Sequence, residues 1–274
     1  MLKLFAVFVI FLSTINSAFA AEPSKTIRLA VTTSFENSGL SKFMLPTFAK
    51  DTGYKVELIV VGTGRALNLG RRGDVDALLA HAKTDELKFV ADGYGSDRQE
   101  VMYNDFIIAG PKADPAGIRD EKKVADALIK IQSSKAPFTS RGDDSGTHKK
   151  EIALWKNAGI DVGALKTNWY RETGSGMGAT LNTAAAMNAY LLVDRGTWIS
   201  FKNKQNLELL VQGDPPLHNQ YGVIVINKQR FPHVNAKGAE ALRDWLISAK
   251  GQNIIGAYRL HGEALFYPNY EPNS

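Results

Sequence analysis

The chain has 274 residues, with 33 lysines and arginines against 28 aspartates and glutamates, five histidines and no cysteine. The lack of cysteine excludes a disulfide framework and a lipidated lipobox, so stability must come from a hydrophobic core, which a chain of this length can bury. The formal charge of +5 is a mild basic bias carried by scattered doublets, Arg71-Arg72, Lys122-Lys123 and Lys149-Lys150, which read as solvated faces and not as the basic stripe of a nucleic-acid binder.

The chain opens with the three parts of a secretory signal peptide: the single charge of Lys3, the apolar run Leu4 to Leu12, and the small-residue end Ala18-Phe19-Ala20. The apolar run is well short of the roughly 20 residues that span a bilayer. Cleavage after Ala20 is therefore expected, making residues 1–20 a signal peptide and leaving a soluble protein free in the periplasm. Loss of Lys3 takes Lys+Arg from 33 to 32 against 28 acids, a formal charge of +4.

Thr26 to Val31 alternates Ile27, Leu29 and Val31 with Thr26, Arg28 and Ala30, which predicts a strand. The hydroxyl-rich turn Thr32-Thr33-Ser34 follows, then a helical pattern from Leu40 to Lys50. Val56 to Val61 predicts a second strand, ending in Gly62-Thr63-Gly64 before a helix through Ala66, Leu67 and Leu69. Asp76 to Ala82 predicts a third strand and Phe106 to Ala109 a further one, which runs into the turn-rich segment Gly110 to Pro115. Such a segment is a candidate crossover between lobes.

Beyond it the pattern gives a helix over about Lys122 to Gln132, a strand ending at Phe138, a helix from Thr147 to Gly159, a helix through Ala184 to Leu192, and a short strand near Leu209. After the turn Gln212 to Pro216 come a strand from Tyr221 to Ile226 and a terminal helix from Ala236 to Lys250. Strands alternating with helices indicate an α/β protein with mixed, mostly parallel sheets covered by helices. The expected division is one lobe of residues 21–109 plus 220–274 and a second of 110–219, with a ligand cleft between them beyond the carboxyl ends of the strands.

Three loops that follow strands share one composition: Thr32-Thr33-Ser34 continuing to Ser38-Gly39, Gly62-Thr63-Gly64, and Ser140-Arg141-Gly142-Asp143-Asp144-Ser145-Gly146-Thr147. Each places hydroxyls and glycine at a helix start, where unsatisfied backbone N–H groups and the positive dipole end favour an anion. The same residue types also serve as plain helix N-caps. Arg141 adds a fixed charge whose planar fork suits an oxyanion, or an ion pair with Asp143 or Asp144.

These strings, together with Gly73-Asp74-Val75-Asp76-Ala77-Leu78-Leu79-Ala80-His81-Ala82, Tyr170-Arg171-Glu172-Thr173-Gly174-Ser175-Gly176-Met177-Gly178 and Asp194-Arg195-Gly196-Thr197, resemble the periplasmic tungstate-binding proteins of ABC importers. The likeness runs in the family's order over most of the chain. It implies a two-lobed periplasmic-binding-protein-like fold of type II that closes around one tetrahedral oxyanion, tungstate first and molybdate second. Carried over by position, Thr33, Ser34 and Thr63 would bind from one lobe and Arg141, Ser145 and Thr147 from the other, with Thr32, Ser38 and Gly64 as secondary candidates. The first loop departs from the family pattern in having Val31 ahead of Thr32 and Asn37 where an aspartate is common. The resemblance further implies permease and ATPase subunits as partners, a monomer, no cofactor and no cation site.

Two other classes compete. The string Gly142-Asp143-Asp144-Ser145-Gly146 with His148 offers a serine and a base for a hydrolase, but without a G-x-S-x-G elbow or triad spacing. Within the binding proteins, sulfate or phosphate are the rival ligands, and a phosphate site would need a carboxylate acceptor such as Asp144.

Overall fold

The computed structural model describes residues 24–165 and 168–270, so the expected signal peptide and its expected cleavage point lie outside the described residues. The first stretch comprises β1 (Thr26–Thr32), α1 (Thr33–Asn37), α2 (Leu40–Thr52), β2 (Lys55–Val61), α3 (Thr63–Arg72), β3 (Ala77–Ala80), α4 (Lys83–Ala91) and β4 (Gln99–Pro111). Next come α5 (Val124–Ser134), β5 (Phe138–Ser140), α6 (Gly146–Asn157), β6 (Tyr170–Glu172), α7 (Met177–Met187), β7 (Leu191–Asp194), α8 (Arg195–Ser200) and β8 (Leu207–Val211). The chain finishes with β9 (His218–Val225), α9 (Ala236–Ile247), α10 (Ala249–Ala257), β10 (Arg259–Leu260), β11 (Glu263–Ala264) and β12 (Tyr267–Pro268).

The first sheet has the order β12-β4-β9-β3-β1-β2. Its strands carry apolar residues on both faces, as buried strands do. Ile27, Leu29 and Val31 of β1 point to a core with Phe48 and Trp245, while Ala30 between them joins a second core with Phe89 and Ile224. The long strand β4 then leaves this sheet. Asn104 and Asp105 still pair with Asn219 and His218 of β9, but Phe106 to Pro111 pair with β7 on one side and β8 on the other. There Phe106 and Ile108 face a core around Trp155 and Tyr190, and Ile107 and Ala109 face one around Leu181 and Trp198. Two sheets with separate pairs of cores, threaded by one strand, make the two lobes.

Among the described residues, pairing is parallel among β1, β2 and β3, between β5 and β6, and at the Phe138–Tyr190 bridge; around β4 and β9 it is antiparallel. A run of strand-helix alternation predicts parallel neighbours, but β9 returns from the second lobe and enters the first sheet against the direction of the strands beside it. The chain crosses between sheets at Asp105–Phe106 and again between β8 and β9, upstream of the Gly110 to Pro115 turn in the first case. That turn belongs wholly to the second lobe. Tyr190 crosses β4 at Gly110, where a Cβ would come within 2.3 Å of its ring, and the Tyr190 hydroxyl donates to Asp114 at 2.7 Å while accepting from the Ala116 amide at 2.9 Å.

Three element expectations shift. The helix read through Leu192 ends at Met187, with Asn188 in the left-handed region as its cap, and Leu191 and Leu192 are buried strand. The terminal helix breaks at Ser248, whose hydroxyl accepts from the Gly251 amide and starts α10. Phe138 begins β5 instead of ending it.

Candidate functional site

The directions of the strands bring the two sets of loops together. Thr32 lies opposite Val61 and Val31 opposite Leu79, so β1, β2 and β3 all end at one edge, the edge where β4 departs and β9 arrives. In the second lobe Asp194, the last residue of β7, pairs with Phe106 at the crossing. β5 runs parallel to β7 through the Phe138–Tyr190 bridge, and β6 runs parallel to β5. The carboxyl ends of β5, β6 and β7 therefore point back at those of β1, β2 and β3. The two sets of loops come close together: His81, just past β3, places its Cε1 3.8 Å from where a Cβ on Gly146, the first residue of α6, would stand.

In the first lobe Thr32 is buried and caps α1, its hydroxyl accepting from the Phe35 amide at 3.4 Å and bonding the Ser34 hydroxyl at 3.1 Å. Thr33 and Ser34 are exposed at the start of α1. Ser38 faces inward, donating to the Phe35 carbonyl at 2.6 Å and accepting from the Leu40 amide; its hydroxyl is committed to its own turn. Thr63 is the first residue of α3, whose N-cap Gly62 supplies no side-chain cap, so the first amides of α3 are left for an outside acceptor. Gly64 is exposed, and a Cβ there would meet nothing within 4 Å.

The second-lobe loop is more tightly wired. Ser145 is the N-cap of α6, accepting from the His148 amide at 3.3 Å. Its proton goes to Asp143 Oδ1 at 2.6 Å, and its amide reaches the same oxygen at 3.3 Å. Asp143 Oδ2 takes Arg141 Nη2 at 2.5 Å. Arg141 Nε is buried with no hydrogen-bond partner among the described residues. Thr147 is buried in the first turn of α6. Burial works to raise the Asp143 carboxyl, but the bonds from Ser145 and Arg141 outweigh it and hold it below the usual range. Asp143 is thus ionised and is the ion-pair partner of Arg141. Asp144 is 86% exposed and turned toward Lys149 at 3.5 Å. The Thr173 hydroxyl and the Ser175 amide donate to the Arg141 carbonyl, fixing this loop to the start of α7.

Three groups at this edge lie outside the ligand-binding candidates read from the sequence. His81 packs on Tyr221 with ring centroids 4.9 Å apart. Burial drives its imidazole down to about 4, against opposing hydrogen bonds from its own backbone and Asn219, so it is neutral at ordinary pH. The Tyr221 hydroxyl is fully buried beside Ser34, Thr32 and Asn104, and burial lifts it to about 12. Asn104 accepts from Asn219 at 2.8 Å at the crossing itself. His81 directly after the apolar strand Ala77–Ala80 was a readable signal; Tyr221, one aromatic in an apolar strand, was not.

Behind the loop, Glu151 is 3% exposed and accepts from the Tyr170 hydroxyl at 2.7 Å and Trp155 Nε1 at 3.2 Å. Burial raises its carboxyl to about 7, only partly offset by Tyr170, Ser140 and Trp155, and nearby Glu172 adds to the rise. Because the folded pKa exceeds the unfolded one, the native state holds the extra proton between about pH 4.5 and 7. Unfolding free energy therefore falls as pH rises through that window. Glu151→Gln, which keeps an acceptor for Tyr170 and Trp155, is expected to flatten that fall and to raise the melting temperature at pH 8 relative to the parent. Parallel melts at pH 5 and pH 8 check this; an unchanged pH dependence would exclude Glu151 as its source.

Two open depressions, of about 510 and 560 Å³, lie beside α2 and β2 and beside Pro111 and Asn206, away from the strand ends. Among the described residues no group of His, Asp and Glu side chains is arranged to hold a metal ion, and no helix is long and apolar enough to cross a membrane.

This sequence and fold match known proteins. The PBP superfamily domain matches residues 17–250. The tungstate-binding protein TupA of Peptoclostridium acidaminophilum is 46% identical over 248 residues, 89% of this chain and 86% of that one. The chain belongs to the TupA family of the PBP superfamily. Among solved structures, the TupA tungstate-binding protein of Desulfovibrio alaskensis G20 superposes with a TM-score of 0.86 at 45% identity, covering 90% of this chain and 99% of that one. The structure described as the tungstate ABC transporter from Geobacter sulfurreducens gives a TM-score of 0.74 at 49% identity, covering 85% and 98%. Both solved structures share the α/β fold of this chain over nearly their whole length.

Proposed function

We propose that this chain captures tungstate in the periplasm and delivers it to the permease and ATPase of an ABC importer, with molybdate as the second ligand. Residues 1–20 are removed after Ala20, and the protein acts as a monomer whose lobes divide where β4 changes sheets and again between β8 and β9. Thr33, Ser34 and Thr63 approach the anion from the first lobe; Arg141, the amides at the start of α6, and Thr147 approach from the second. Ser145 contributes chiefly through the loop it shapes, since its proton is spent on Asp143.

The observation that carries this reading is the Arg141 loop at the mouth of α6, with a buried guanidinium edge and a helix N-terminus facing the strand ends of the other lobe. A dianion drawn out of water needs aligned dipoles and charge-assisted donors, and these groups supply both. The phosphate alternative needs an acceptor for a ligand proton. Asp144 points to solvent, and both oxygens of Asp143 are taken by protein donors, which favours a fully ionised oxyanion. The hydrolase alternative needs a serine bonded to an imidazole. Ser145 bonds Asp143 and the His148 amide, while the His148 ring accepts from the Asp144 amide at 3.0 Å.

Calorimetric titration of residues 21–274, stripped of bound anions, with tungstate, molybdate, sulfate and phosphate tests the reading. Tungstate is expected to bind most tightly, with molybdate next. Absence of heat with all four anions would overturn the oxyanion reading.

A further inference from the structure

Resting on that reading, we propose that Asp143 is a positioning residue for anion capture: its carboxylate clamps one amino group of Arg141 and the turn at Ser145, so that the Nε edge of the guanidinium is held toward the ligand. Asp143 Oδ2 holds Arg141 Nη2 at 2.5 Å, and Oδ1 holds the hydroxyl and amide of Ser145 at 2.6 and 3.3 Å. One carboxylate thus ties together the residue bearing the charge and the N-cap of the helix whose amides face the cleft. Arg141 has several N–H donors in a rigid plane. With Nη2 fixed, rotation about the long side chain is stopped, and Nε is left buried and unpartnered among the described residues. Leaving a buried charged donor unpaired is costly, so its orientation must be enforced, and the Asp143 bond is the one that enforces it.

The turn permits this geometry because Gly142 sits at φ 59° with the place of its missing Cβ 2.7 Å from Glu172 Cβ, and Asp144 at φ 56°. Two successive bends of this kind fold the Asp143 side chain back over the loop. A free carboxylate could instead act as a stand-in for the ligand, competing for Arg141. The two Ser145 bonds argue against that, since they anchor Asp143 independently of the guanidinium.

A double-mutant cycle separates positioning from a general effect on the fold. Asp143→Asn keeps an oxygen for Ser145 but loses the charge clamp. By calorimetry at constant ionic strength it is expected to raise the Kd for tungstate at least tenfold in the parent background, and less than twofold in the Arg141→Gln background. In the Ser145→Ala background the tenfold cost is expected to persist. An equal cost with Arg141→Gln means that Asp143 acts through the loop and overturns the proposal; so does tighter binding by Asp143→Asn, the mark of a competing anion. A second measurement uses the unmutated protein: the Arg141 Nε–H resonance is expected to move downfield and sharpen on saturation with tungstate, and a resonance unmoved at saturation overturns the proposal. If the parent binds no tungstate at all, the functional reading fails before this question arises.

Discussion

Arg141→Ala is expected to weaken tungstate binding by about 2 kcal/mol or more, roughly 30-fold, in calorimetric titrations at constant ionic strength. The side chain is largely buried at the mouth of α6, and its Nε is a donor with no partner among the described residues. Its removal deletes a charge-assisted donor from a site that must replace the hydration of a dianion. It also leaves the Asp143 carboxylate, still held by Ser145, without its cation beside an incoming dianion, so the loss exceeds that of one hydrogen bond. Arg141→Lys keeps the charge but not the planar fork, and is expected to fall between parent and alanine. Binding by Arg141→Ala within twofold of the parent would remove Arg141 from the site.

Arg195→Met is expected to lower unfolding free energy by about 3–5 kcal/mol, the scale for stripping one partner from a buried ion pair. Arg195 opens α8 in the second lobe and reaches the crossing, where Nε and Nη2 each meet an Asp105 oxygen at 2.6 Å and Nη2 also donates to Gln212 at 2.8 Å. Asp105 is the last residue of β4 paired to β9, and Gln212 follows β8 on the return crossing. One guanidinium thus ties both crossings to one helix. Without it Asp105 loses both of its guanidinium donors in a buried place. Denaturant unfolding of the ligand-free protein measures the loss, and Asp105→Asn combined with Arg195→Met is expected to be less damaging than Arg195→Met alone. A loss under 1 kcal/mol would mean that water replaces the arginine at little cost.

Strands buried on both faces were the most readable elements. β1, β3 and β9 fall where uninterrupted or alternating apolar residues predict them, because their two cores demand that pattern, and the half-buried edge strand β2 carries a similar apolar run. Helix α4 was not readable: its buried residues are Glu86 and Phe89, and Glu86 is met in its buried place by Arg98 at 2.5 Å and by the Ala82 amide, the first a partner that sequence does not announce. The helix read across Met187 to Leu192 failed because apolar residues in succession suit a buried strand as well as a helix face.

For the candidate site, hydroxyl and glycine composition located the loops after β1, β2 and β5, and the capping alternative holds for Thr32 and Ser145. The bond from Ser145 to Asp143 is local and could have been anticipated from the spacing of an acid two residues before a cap. The approach of His81 to the start of α6 depends on how two sheets face each other, and the burial of the Tyr221 hydroxyl depends on β9 lying between β4 and β3. Neither has a local signature.

The position of β9 also sets the order of assembly. The second lobe is one continuous stretch from Phe106 to the end of β8, whereas the first sheet lacks an inner strand until residues 218–225 arrive to join β3 to β4. Contacts between such distant parts of a chain form late, because long loops must close before they are rewarded. For the export proposed above this arrangement is an advantage: the first sheet stays incomplete while the rest of the chain is still being synthesised or threaded.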